Sequence, residues 1–141
     1  MQRLAAIVAL SFLAAPAFAE SWTVECASNS PGPWPDSMFC NEAKMLAFTP
    51  GAPEANITLK ISVPGTHCSD ISYLINRLPG SSEPIAILER MHPGETRKVK
   101  LGTGWNEGEN YVTVTAVGHV GGCNTGVLGS WGAITIFIPE Q

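Results

Sequence analysis

Beyond its opening residues the chain has no apolar run long enough to cross a membrane as a helix, which takes about 20 residues. It has no C-x-x-C pair, so the paired thiolates of a structural zinc site are missing. There is no G-x-S-x-G elbow and no H-E-x-x-H motif, which removes two common hydrolase signatures. Cations are scarce: Lys and Arg number 8 against 12 Asp and Glu. The one basic cluster, Arg97, Lys98 and Lys100, is what a strand exposing alternate residues produces. Without a basic patch interleaved with aromatics, neither nucleic acid nor an anionic membrane is an expected partner.

What is present begins with MQRLAAIVALSFLAAPAFA. Arg3 supplies a positive start, residues 4–15 are apolar, Pro16 breaks the run, and Ala17-Phe18-Ala19 has the small-x-small form of a cleavage site. The expectation is a signal peptide over 1–19, cut after Ala19, and a periplasmic or secreted product with no membrane insertion after cleavage. No cysteine follows the cut to carry a lipid anchor. Residues 20–141 then form one domain, with neither an internal repeat nor a linker. Dropping Arg3 leaves 7 cations against 12 anions, a net charge of about −5.

No segment after the signal shows a helical period. In NITLKISV, Ile57, Leu59, Ile61 and Val63 alternate with polar residues, the pattern of a half-buried strand. Val112, Val114 and Ala116 repeat it in YVTVTAV, with Tyr111 out of phase, and Ile134, Ile136 and Ile138 repeat it in GAITIFIPE. Further strands are expected at 21–26, 43–49, 70–77, 84–90 and 96–101. Proline and glycine punctuate the junctions in TPGAPE, VPGTHCS, LPGSSEP and MHPGE. Seven or eight short strands at this spacing predict an all-β antiparallel sandwich, with a barrel as the alternative. Two long loops remain, 27–42 and the glycine-rich GHVGGCNTGVLGSWG at 118–132. The second could suggest a phosphate cradle, but such cradles open a helix, whereas strands are expected on both sides here.

Export makes Cys26, Cys40, Cys68 and Cys123 expected disulfide partners, with three connectivities open. The stretch GETRKVKLGTGWNEGENYVTVTAVG, followed by a loop and a last strand, resembles the end of a fibronectin type III or related immunoglobulin-like module. The resemblance covers about residues 56–138 and carries no functional residues with it. It implies that 56–63, 70–77, 110–117 and 130–138 correspond to strands B, C, F and G. Loops 64–69 and 118–129 would then share one end of the molecule. That layout implies two bridges, Cys26 with Cys40 and Cys68 with Cys123.

The candidate chemistry follows from this placement. His67 adjoins Cys68 and His119 precedes Cys123, so His67, His119 and Asp70 could together hold zinc, copper or nickel. Ser69, His67 and Asp70 cluster too, but neighbours on one loop rarely reach triad geometry. Trp34, in PGPWPD, is stiffened by prolines and, like Trp105 in GTGWNEGEN, is of the type that partners bury. The expected function is a non-enzymatic exported binding or interaction module with no cofactor. Its partner would be another extracytoplasmic protein, contacted through Trp34, Trp105, His67 and His119. It would serve as an accessory subunit of an assembly or as an inhibitor of a secreted enzyme. The alternative is a small periplasmic metal-handling protein that uses His67 and His119.

Overall fold

The computed structural model describes residues 19–40, 43–52, 54–65, 68–78, 82–122, 124 and 129–140. These residues form nine strands and no helix: β1 (Ala19–Pro31), β2 (Ser37–Cys40), β3 (Lys44–Phe48), β4 (Ile57–Ser62), β5 (Ile71–Leu78), β6 (Ala86–Met91), β7 (Thr96–Gly102), β8 (Asn110–His119) and β9 (Gly129–Glu140). Every pairing is antiparallel. The all-β expectation holds, with more strands than the sequence pattern predicts.

The hydrogen-bonded path runs β6-β5-β8-β2-β1-β9-β4-β7, and β3 also pairs with β8. β2 and β3 lie along the same edge of β8, β2 opposite 117–119 and β3 opposite 110–114. The path therefore divides into one half made of β6, β5, β8 and β3 and another made of β1, β9, β4 and β7. β2 joins them, because it also pairs with β1. This order departs from the fibronectin-like expectation. The last strand, β9, lies between β1 and β4, while β2 and β3 occupy the edge of β8 where the final strand was expected.

Alternation explains which side of each strand is buried. Ile57, Leu59 and Ile61 of β4 point inward with Thr58, Lys60 and Ser62 between them only half-buried. Ile71, Tyr73 and Ile75 of β5 and Val112, Val114 and Ala116 of β8 do the same, joining Leu46, Phe48 and Leu101 in a single core cluster. Burial of such side chains, at about 25 cal/mol per Å², is the main force holding the strands together. Tyr111 is only half-buried, out of phase with the core residues of β8.

The expected loop 27–42 is mostly strand. β1 continues to Pro31, a tight turn spans 32–36, and β2 returns along it. Cys26 and Cys40 are register partners on these strands and form a disulfide. The Cys68–Cys123 pairing involves Cys123, which lies outside the described residues. No helix among the described residues is long and apolar enough to cross a membrane.

Candidate functional site

Four segments meet at one pole of the molecule, beyond the ends of β5 and β8. The first is the turn between β1 and β2. Ser37 fixes it, because its hydroxyl donates to the Trp34 carbonyl at 2.7 Å and accepts the Trp34 N–H at 2.9 Å. Gly32 is required here: a side chain at that position would meet Val117 Cγ1 at 2.8 Å, so only glycine lets the turn close over β8. The register Ser37↔His119 then hangs the turn over the end of β8. Val120 N–H donates to the Asp36 carbonyl at 2.8 Å, and the Trp34 ring lies 5.3 Å from the His119 ring. The 32–36 turn thus belongs to the same pole as the end of β8.

The second and third segments are 68–70 and 119–124. His119 N–H donates to the Asp70 carbonyl at 3.1 Å, and Asn124 Nδ2 donates to the His119 carbonyl at 2.7 Å. Gly122, at φ +53°, approaches the Cys68 carbonyl so closely that a Cβ would overlap it. The shared end expected for these two loops is therefore present. The fourth segment is 90–93. Arg90 interrupts the β5–β6 register in the left-handed region, with φ of 48°, rare for a side-chain-bearing residue. This twist turns its N–H onto Ser72 Oγ at 2.8 Å and its guanidinium onto both oxygens of Asp36, at 3.1 and 3.2 Å.

His119 sits at the junction of these segments, 1% exposed. Its Nε2 is 2.7 Å from Ser72 Oγ, and its Nδ1 is 3.7 Å from Asp36 Oδ1 with no hydrogen-bond partner among the described residues. A lone pair facing a carboxylate is repulsive, so the arrangement assigns the ring proton to Nδ1. Ser72 then donates to Nε2 while accepting from Arg90. Burial, followed by the charge of Arg90, holds the imidazole below the usual histidine range against the opposing pull of Asp36 and Asp70. Arg90 also holds the Asp36 carboxyl below its usual value, mainly through the hydrogen bond.

Ser72, His119 and Asp36 are connected in the order of a Ser-His-Asp triad. Ser72 is fully buried, however, and its oxygen is taken by Arg90 and His119. The Asp36 carboxylate stands beyond hydrogen-bonding distance of the ring and is committed to Arg90. As arranged, the trio and Arg90 tie three strands and a turn together and offer no hydroxyl to a substrate.

Outside this buried junction is an open polar cavity of about 160 Å³, lined by Ser69, Asp70, Arg90, Pro93, His119 and Gly121 among others. At its rim the exposed His92 places Nδ1 2.6 Å from Asp70 Oδ1. Asp70 thus faces His92 while the His119 ring turns to Ser72 and Asp36, so their side chains diverge. No group of three metal-ligating side chains occurs among the described residues, and His67 lies outside them. Trp34 is half-buried against His119. Trp105 is not an exposed contact residue: it is 3% exposed. Its ring packs edge-on to Phe48 at 4.9 Å, lies under the Arg77 guanidinium, and donates its N–H to the Gly102 carbonyl.

Sequence pattern missed Asp36, Ser72, Arg90 and His92. Cross-strand register brings them to the pole, and only the positions of His119 and Asp70 hinted at it. No protein family, no curated protein and no solved structure matches the chain.

Proposed function

We propose that the protein is an exported, non-enzymatic interaction module, a disulfide-braced β-sandwich that engages another extracytoplasmic protein through its loop pole. The observation that carries this reading is the convergence of residues 68–70, Arg90, Pro93 and 119–122 around one small open cavity, with the 32–36 turn held against them through Asp36. Sites for small organic ligands enclose about 300–1,000 Å³. A cavity of about 160 Å³ is too small for that class and suits one side chain of a protein partner. Its lining pairs a cation, Arg90, with a carboxylate, Asp70, which favours polar or zwitterionic partner groups. Val120, 48% exposed beside it, supplies an apolar contact. A Cys68–Cys123 bridge would fix the relative position of the two loops, as removal of Arg3 and its neighbours by signal cleavage would free the folded domain.

Affinity purification from the native host's extracytoplasmic fraction tests the reading. The native protein is expected to retain a stable partner, and the Val120→Glu and Arg90→Ala variants are expected to lose it. A partner kept by both variants would remove the pole from the interaction. Micromolar zinc or copper giving heat in calorimetry of the purified protein would favour the metal-handling reading instead.

A further inference from the structure

The half formed by β6, β5, β8 and β3 has a second face, turned away from the core. Register fixes its composition. Leu74 lies between Ile87 and Thr115 in one row, and Thr113 lies between Asn76 and Met45 in the next. Ile85 extends the second row beyond β6, its N–H donating to the Ile75 carbonyl. A third row holds Leu78, Tyr111 and Ala47. Met45 is 56% exposed and Ile87 50%, the two most exposed large apolar residues described. Neither sheet propensity nor the core requires them to be apolar, since the core is built from the other side of these strands.

We propose that this face is the interface of a homodimer, packed sheet against sheet. Charge selects the occupant. The three rows contain no charged side chain, and the face is bordered by Glu89 on β6 and by Glu109, which accepts a hydrogen bond from Tyr111. An acidic border disfavours anionic membranes and nucleic acid, whereas an uncharged face lets two copies of a chain of net charge −4 approach without facing charges.

The geometry is also self-complementary. Ile85 and Ile87 lie on the β6 edge and Met45 on the β3 edge, in neighbouring rows. A two-fold axis parallel to the strands, between the facing sheets, swaps these edges while keeping height along the strand. It lays Ile85 and Ile87 of one copy over Met45 of the second, and sets the threonines of β8 against Leu74 and Asn76 of the second copy's β5. Three rows over four strands span roughly 20 Å by 20 Å. With side-chain relief a pair would bury on the order of 1,000 Å², the lower edge of specific interfaces. A dimer with an interface of that size is expected to be reversible, exchanging with monomer in the micromolar range, to an order of magnitude.

Sedimentation equilibrium of the purified protein from about 1 to 300 μM, spanning that range, tests the proposal. The native protein is expected to pass from monomer to dimer. Met45→Glu and Ile87→Lys, both at exposed positions, are each expected to remain monomeric with unchanged near-ultraviolet dichroism. Their equimolar mixture is expected to recover a dimer, because one contact becomes a Glu–Lys pair while the other stays native. Val120→Glu, at the pole, should dimerise normally, which separates this proposal from the loop-pole reading. A native protein monomeric at about 300 μM overturns it. So does a dimer that survives both single variants, or a mixture that stays monomeric.

Discussion

Ser72 Oγ and His119 Nε2 lie 2.7 Å apart across 47 residues of sequence, and both are buried at the end of the sheet. The hydroxyl also accepts the Arg90 N–H, so one oxygen satisfies two buried groups from different strands. Ser72→Ala removes both partners at once. It is expected to lower stability by about 1–3 kcal/mol, the cost of leaving buried polar groups unpaired. The urea midpoint should fall with the m-value unchanged.

Acidification is expected to act through His119. Burial and Arg90 keep its folded-state value below the usual one, whereas the unfolded chain binds the proton near pH 6.5. Between those two values the unfolded state holds more protons, so stability is full above about pH 6.5 and declines as pH falls below it. The groups facing the ring are Asp36, Arg90 and Asp70. Urea unfolding at pH 7.5 and 5.5 should show a larger loss for the native protein than for His119→Gln. Equal losses would place the proton uptake elsewhere.

Tyr73 is fully buried between β6 and β8, and its hydroxyl has no hydrogen-bond partner among the described residues. Burial pushes the phenol upward, so it stays neutral. Because the hydroxyl carries a desolvation cost without a compensating bond, Tyr73→Phe is expected to leave stability unchanged or raise it by about 1 kcal/mol. Thermal unfolding provides the measurement, and a marked drop in Tm would reveal a partner for the hydroxyl.

Cys26 and Cys40 close a loop with a sequence separation of 14. By loop-closure entropy such a bridge contributes about 3 kcal/mol. The Cys26→Ser, Cys40→Ser double variant is expected to lose about that much. The loss should be accompanied by faster exchange of the Val120 amide, because the bridged hairpin carries the Asp36 carbonyl that binds it.

The alternating strands were legible because their periodicity is a direct record of burial: Ile57, Leu59, Ile61 and Val63 are all inside. β2 was not, since four residues are too few to show a period and PGPWPD reads as loop. Trp105 misled for a physical reason. A turn rich in glycine and charge looks solvated, but Gly102 and Gly104 at positive φ fold the ring back onto Phe48. The pole was half-legible. His119 and Asp70 followed from loop placement, whereas Ser72 and Arg90 depend on register and on a left-handed residue that no local pattern announces.

The first and last strands lie side by side, with Ala19 opposite Phe137. β1 runs from there toward the 32–36 turn, so the start of β1 and the end of β9 sit at the pole opposite the loops. A tether or surface attachment made at either of these strand ends would therefore hold the domain by its base, with the cavity facing outward.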